Sequence, residues 1–140
     1  MILTLLVSQV GFFLGNLMRA RAEHFYSRAD LRRAIIYNPF EYRYHFMAAN
    51  AFTHIRQYKA AKAHYRVVLA LRPNYLDAAS NMALVEAKSG RLESARGIYQ
   101  AVLKMWPTHR EAQAGLNAVT KLQEAKNEQF DRLIEKYRTD

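Results

Sequence analysis

The chain has 140 residues, of which 51% are apolar and 24% charged, a composition typical of one folded domain rather than a disordered segment. It contains no cysteine, which excludes disulfide bonds, thiolate metal sites and a cysteine nucleophile. The formal charge is +9, with 11 Lys and Arg against 3 Asp and Glu from Arg19 to Arg72, and 10 against 9 from Pro73 to Asp140. This gradient is typical of a segment beside an anionic membrane surface, and it argues against a nucleic-acid-binding protein, which carries a basic face along its whole groove.

The N-terminal segment, residues 1–18, carries no charged side chain. As a helix it would span roughly 27 Å, at the short end for crossing a membrane. Three interpretations are open: a membrane anchor, a helix buried in protein and a cleaved signal peptide. We favour the anchor, because basic residues follow the apolar run rather than precede it, and because a buried helix would need a partner to cover its second face. We therefore predict a membrane-spanning helix over residues 1–21 and a helical domain over residues 22–140.

Small residues recur along this apolar segment. Gly11 and Gly15 have the spacing that lets two membrane helices approach closely, and Thr4 and Ser8 extend the stripe. The alternative, which we favour for this motif alone, is that Gly15 only occupies a small helix-crossing position of the repeat described next. Arginines after the segment predict contact with lipid headgroups and a cytoplasmic location for the rest of the chain. They are Arg19, Arg21, Arg28, Arg32 and Arg33.

A sequence repeat covers most of the chain. Its three prolines are evenly spaced, at positions 39, 73 and 107, and the residues before each proline align in columns of similar side chains. Within one repeat the apolar positions follow the i, i+3, i+4 spacing of an amphipathic helix. The main columns are Leu31, Tyr65 and Tyr99; Ala34, Val68 and Val102; Ile35, Leu69 and Leu103; and the small residues Ser27, Ala61 and Ala95.

The period and these columns resemble the tetratricopeptide repeat, a pair of antiparallel helices, A and B, with proline after helix B. The resemblance implies an all-α fold, a right-handed superhelix of antiparallel helix pairs preceded by the long apolar helix. The second repeat would run from Tyr42 to Tyr75 and the third from Leu76 to His109. The first repeat would run from Ser8 to Glu41, where the lack of a turn residue between Met18 and Ser27 predicts one long or bent helix.

The sequence after Thr108 predicts helical structure that ends the domain. One apolar series is typical of a further helix A, and a second series predicts a terminal helix that closes the stack, with charged residues on its outer face. The first series is Ala112, Leu116, Val119 and Leu122, and the second is Phe130, Leu133, Ile134 and Tyr137.

Residues that would carry catalysis are not arranged in any recognisable motif. The five histidines have no spacing that presents two metal ligands on one helical turn, and no nucleophile or phosphate-binding motif occurs. We expect His45 and His64 to pack at helix edges, and we expect isolated carboxylates to lie on exposed faces: Glu86, Glu93 and Glu111. The sequence therefore predicts a binding protein, with no enzymatic activity, cofactor or metal.

The resemblance also implies a binding groove, because partner peptides of this family usually lie along the stacked A helices. Asn50 is the strongest candidate, since an amide side chain can donate to and accept from an extended peptide backbone. A polar concave face without any ligand is the alternative. The groove positions carried over from the family are Arg43, Phe46, Asn50, Thr53, His54, Asp77, Ser80, Leu84 and Lys88.

One subclass of the family binds a peptide's terminal carboxylate through Lys and Arg at set helix-A positions. Phe12 and Asp77 stand at two such positions in this chain, so the resemblance does not extend to that chaperone-type function.

The leading functional hypothesis is a single-pass membrane adaptor whose repeats hold a protein partner, as an accessory or assembly subunit of a larger membrane complex. Its predicted partners are proteins and an anionic membrane surface, not nucleic acid. Two alternatives are open: the C-terminal repeats of a polytopic glycan polymerase or ligase of the O-antigen type, and a soluble basic adaptor with residues 1–18 at an oligomer interface.

Overall fold

The computed structural model describes residues 28–138, and the regular structure within that range is α-helical. Six helices occur there, in chain order: α1 (Arg28–Tyr37), α2 (Tyr42–His54), α3 (Tyr58–Leu71), α4 (Leu76–Lys88), α5 (Leu92–Met105) and α6 (Arg110–Arg138).

The helix boundaries recur with the period of the prolines. Helices α2, α4 and α6 begin at residues 42, 76 and 110, and α1, α3 and α5 end at residues 37, 71 and 105. Each of the latter three ends two positions before a proline. The ring of a proline disfavours helical backbone in the residue before it, and Arg72 and Trp106 have φ values of −140° and −139°. Within residues 28–138 the predicted all-α fold is confirmed, as are the boundaries of the second and third repeats.

The turns within the second and third repeats share one unusual backbone conformation. Arg56 has a φ of 60° and Gly90 a φ of 81°, both in the left-handed region. The two residues occupy the same place in successive repeats. Arginine therefore adopts, between α2 and α3, the conformation for which glycine is suited between α4 and α5.

The chain divides by contacts after Ala78 into two compact units. In the described part of the first unit, residues 28–78, the short turn 55–57 makes α2 and α3 an antiparallel pair. The core is a cluster in which α1 packs against α2, together with the buried face of α3. These buried residues are Leu31, Ala34, Tyr44 and Ala48, and Ala61, Tyr65 and Val68 on α3.

The described part of the second unit, residues 79–138, is built around α5 and the first half of α6. Ala95, Tyr99 and Val102 are buried on α5, as are Ala112 and Val119 on α6. The columns that begin at Leu31 and Ala34 are thus buried in both units, as are Ala61 and Ala95, whereas Ile35, Leu69 and Leu103 are half-buried.

The C-terminal region is one continuous helix where the sequence pattern predicts two. Helix α6 has 29 residues, and its second half leaves the side chains of Phe130, Leu133 and Ile134 half exposed or more. The reason is visible in the repeat register. Gln129 stands where α3 and α5 have the buried residues Ala61 and Ala95. Lys136 stands where they have the buried residues Val68 and Val102, so folding this segment back would bury a charged side chain.

The predicted apolar N-terminal helix lies outside the described residues, as do Thr4, Ser8, Gly11, Gly15, Arg19 and Arg21. Within residues 28–138, none of the helices combines the length and hydropathy of a membrane span.

Candidate protein-binding groove

Helix α2 carries five of the predicted groove residues on one side. The spacing of Arg43, Phe46, Asn50, Thr53 and His54 places them within about a third of the helix circumference. The helix begins after Glu41, whose side-chain carboxylate accepts a hydrogen bond from the backbone N–H of Arg43 at 3.2 Å. Arg43 and His54 are exposed, and the three residues between them are half-buried.

The Asn50 side chain is held in place from the neighbouring helix. The hydroxyl of Tyr65 donates a hydrogen bond of 2.6 Å to Asn50 Oδ1, and Tyr65 itself is buried in the core on α3. This bond fixes the carboxamide with its oxygen towards Tyr65 and thereby orients its nitrogen as the donor end. The repeat pattern places Tyr65 in a column of similar side chains and gives no indication of this role of its hydroxyl.

Thr53 makes a bond within its own helix. Its hydroxyl donates to the backbone oxygen of Ala49 at 2.8 Å. A partner that accepts from Thr53 would therefore have to compete with this bond.

An aromatic cluster with two arginines lies at the N-terminal end of α2. The ring of Tyr75 meets Tyr42 edge to face at 5.4 Å and Phe46 at 5.1 Å between centroids. The guanidinium carbon of Arg72 lies 4.9 Å, and that of Arg43 5.8 Å, from the centroid of the Tyr42 ring.

This cluster was not predicted, because its members lie beside two proline turns and fall outside the helical columns. Tyr42 follows Pro39, and Arg72 and Tyr75 lie on either side of Pro73. Burial raises the pKa of Tyr75 above its usual value of 10.0, and the nearby carboxylate of Asp77 adds to this effect. The Tyr75 hydroxyl therefore stays protonated at physiological pH and can donate a hydrogen bond.

The predicted groove residues of α4 differ in accessibility. Asp77, the last but one residue of the first unit, is exposed. In the second unit Leu84 and Lys88 are exposed, whereas Ser80 is buried. A groove formed by these positions would therefore present an aliphatic and a cationic side chain, and not the Ser80 hydroxyl.

The prediction that Glu86 lies on an exposed face is wrong. Only 7% of Glu86 is exposed, and its carboxylate pairs with the guanidinium of Arg91, just after the left-handed turn residue Gly90. Glu86 occupies in its repeat the place that Phe52 occupies in the previous one, where Phe52 packs against the core of the first unit. The ion pair explains how a carboxylate is tolerated there, since it compensates the charge and satisfies the oxygen atom. Glu93 and Glu111 are exposed, as expected.

His45 and His64 pack together between α2 and α3. The Nε2 atom of His45 lies 3.0 Å from the backbone oxygen of Pro39, which can only accept, so this nitrogen carries the proton. In the neutral ring Nδ1 of His45 is then the acceptor, and Nδ1–H of His64 donates to it at 3.0 Å. Phe52 stacks on His64 at 5.4 Å.

The surroundings of His64 favour its neutral form. Burial lowers the pKa of His64 below the ordinary value of 6.5, and His45 lowers it further. Phe52 and His64 also line an apolar cavity of 370 Å³ together with Arg32, Ile35 and Ile36 of α1. Across residues 28–138, no three histidine or carboxylate side chains come together as metal ligands would.

Comparison with known proteins identifies the fold. No family model and no curated protein matches the chain. Solved structures do: the first TPR of Spaghetti (RPAP3) bound to HSP90 peptide SRMEEVD is 20% identical, with a TM-score of 0.68 over 84% of this chain and 95% of that one. MamA is 16% identical, with a TM-score of 0.71 over 84% of this chain and 71% of that one.

The Sgt2 TPR domain from Aspergillus fumigatus is a further similar structure, 20% identical, with a TM-score of 0.65 over 86% of this chain and 82% of that one. The chain therefore has the tetratricopeptide-repeat fold that its sequence predicts. Identities this low establish the fold and leave the ligand to be argued from the residues.

Proposed function

We propose that this chain is a membrane-anchored tetratricopeptide-repeat adaptor that holds a protein partner, as an accessory or assembly subunit of a larger membrane complex. The observation that carries the protein-binding part is the α2 face, on which the Tyr65 hydroxyl fixes the Asn50 carboxamide between Phe46 and Thr53. An amide held in this way can bind a peptide backbone without first losing side-chain entropy.

The fold supports the same function. The RPAP3 domain to which this chain is similar was solved with a bound peptide, so the fold accommodates a peptide ligand. That peptide ends in Glu-Glu-Val-Asp, which includes three acidic residues. Around Tyr75 in this chain, the carboxylate of Asp77 raises the pKa of the ring hydroxyl, whereas the guanidinium groups of Arg43 and Arg72 lower it. The proposed partner segment would therefore meet charges of both signs here, with Asp77 where the carboxylate-binding subclass of the family has a basic residue.

The proposed anchor is residues 1–18, with the repeats on the cytoplasmic side. Its support is that this run has no charged side chain and is followed by arginines, at the end of the chain where the net charge is concentrated. The small-residue stripe from Thr4 to Gly15 would let this helix pack against membrane helices of the complex.

Affinity purification of the full chain from membranes in mild detergent tests the groove. Arg43→Glu reverses an exposed charge beside the Tyr42 and Phe46 rings, and we expect it to lower the amount of stoichiometric partner about tenfold or more. Arg66→Glu makes the same change at an exposed residue of α3 and serves as the control. Equal retention of the partner by both variants would show that α2 is not the binding face.

A further inference from the structure

Helix α1 presents an exposed surface on which large apolar and basic side chains alternate. Ile36 is 67% exposed and Tyr37 49%, and Phe40, in the turn after the helix, is 79% exposed. Arg32 and Arg33 lie on the same side of α1 and are also exposed. These five residues form what we call the α1 surface; Leu31 and Ala34 pack into the core on the opposite side of the helix.

Such an arrangement is unusual for a surface that faces only water. A single exposed apolar side chain is common, but a contiguous group next to paired cationic side chains marks an interaction site. Within residues 28–78, the contact of α1 with the core is made by the other side of the helix, through Leu31, Ala34 and Ile35.

The charge around the α1 surface indicates an anionic partner. Residues 28–78 contain 9 Lys and Arg against 3 Asp and Glu, a net charge of +6. Arginine side chains bind phosphate oxygens through their guanidinium groups, and aromatic and aliphatic side chains beside them partition into the adjacent apolar layer. Arg32 and Ile36 also line the 370 Å³ apolar cavity, so the apolar character continues inward from this surface.

We propose that the α1 surface lies on an anionic lipid bilayer, with Phe40 and Ile36 inserted below the phosphate level and Arg32 and Arg33 paired with phosphates. The inference rests on the proposed function in one respect, that residues 1–18 hold the chain at the membrane. The stretch from position 18 to Arg32 spans about 21 Å as a helix and at most about 50 Å if extended. The α1 surface is thus within reach of the bilayer that the proposed anchor would occupy.

The surface shares no residue with the α2 face. Arg43, Phe46 and Asn50 belong to the next helix, so the chain has separate residues for the bilayer and for a protein partner. Adsorption would add to the anchor by restricting the orientation of the first unit at the membrane.

The absence of native cysteine allows the proposal to be tested by single-site labelling of the full chain. Phe40→Cys is labelled with an environment-sensitive fluorophore and reconstituted into vesicles of phosphatidylcholine with or without phosphatidylglycerol. Met105→Cys, at an exposed apolar residue of α5, is the matched control, and Ile36→Cys provides a second site on the α1 surface. Lipids brominated on their acyl chains serve as the quencher.

We expect quenching at positions 40 and 36, and not at 105, in vesicles that contain the anionic lipid. Replacing both arginines, Arg32→Gln with Arg33→Gln, should lower the partitioning of position 40, since each basic residue near an anionic surface contributes about fivefold. If the chain floats with the vesicles but position 40 remains as unquenched as position 105, the inference is wrong and the anchor stands. If the chain floats only with anionic vesicles and leaves them in salt, the anchor is wrong; quenching at position 40 in those vesicles would still support the α1 surface, and its absence would contradict it.

Discussion

Arg56 and Gly90 occupy equivalent turns and share a left-handed backbone, which costs an arginine free energy that a glycine does not lose. We expect Arg56→Gly to raise the free energy of unfolding by up to about 1 kcal/mol, and Gly90→Ala to lower it by about 1 kcal/mol. No atom lies within 4 Å of a Cβ placed on Gly90, so the loss would be conformational and not steric. Urea denaturation of the two variants measures both effects, and a stabilised Gly90→Ala would contradict this account of the turn.

The His45–His64 contact predicts a pH dependence of stability. The folded-state pKa of His64 lies below the ordinary 6.5, so on acidification the unfolded chain takes up this proton before the folded chain does. The contribution of His64 to the free energy of unfolding is therefore fully present above pH 6.5, and it is lost as the pH falls through the folded-state pKa. Between about pH 7.5 and 5.5, wild type should lose more stability than His64→Asn.

His54 provides the control for this measurement, since it is an exposed histidine on α2. Thermal unfolding of His54→Asn should follow the wild-type pH profile. A wild-type profile that coincides with that of His64→Asn would show that His64 does not titrate as proposed.

At the scale of elements, the packing of α6 on α5 depends on Gly115. A Cβ at this position would overlap the ring of Tyr99, a buried residue that cannot move aside without disturbing the core. Gly115→Ala should therefore lower the free energy of unfolding by about 1–3 kcal/mol. Gly97 lies in the interior of α5, and a Cβ placed on it would have open space around it. Gly97→Ala should therefore raise the free energy of unfolding by about 0.5–1 kcal/mol. Calorimetry compares them, and a Gly115→Ala variant as stable as the wild type would contradict the assigned packing.

The repeat period predicted the helix ends of the second and third repeats, but not the continuation of α6. Proline and the columns of buried residues determine where α1, α3 and α5 stop, and both are visible in the sequence. The last break was predicted between Leu122 and Phe130, but Gln123, Glu124 and Ala125 are good helix formers and replace the Ser-Gly-Arg turn of the previous repeat. The helix continues because a turn there would not bury an apolar face of the segment that follows.

The candidate site was less predictable than the fold, for a physical reason. Helical spacing places Asn50 on one face of α2, but the Tyr65–Asn50 bond joins two helices and depends on their packing. The same holds for Glu86, which became buried because Arg91 turns back towards it. Residues beside the proline turns, such as Tyr42, Arg72 and Tyr75, belong to no periodic column, so their cluster emerges only in three dimensions.

At the scale of the whole molecule, the excess of basic residues adjoins the apolar segment and extends through the second repeat, whereas the half from Pro73 to Asp140 is nearly neutral. The α1 surface and the α2 face that we propose for the partner both lie in the basic half, so in the proposed adaptor the first unit would carry both the contact with the membrane and the contact with the complex. The exposed stripe of Phe130, Leu133 and Ile134 lies in the half with the smaller net charge.

Membrane fractionation of the intact chain beside a chain that lacks residues 1–18 tests the central claim most directly. Each is expressed in cells, and the membranes are washed with high salt and then with alkaline carbonate. We predict that the intact chain resists both washes, whereas the shortened chain is released by salt and remains helical. Release of the intact chain by salt alone, or its recovery in the soluble fraction, would contradict the membrane anchor and favour an adaptor that is held by protein contacts.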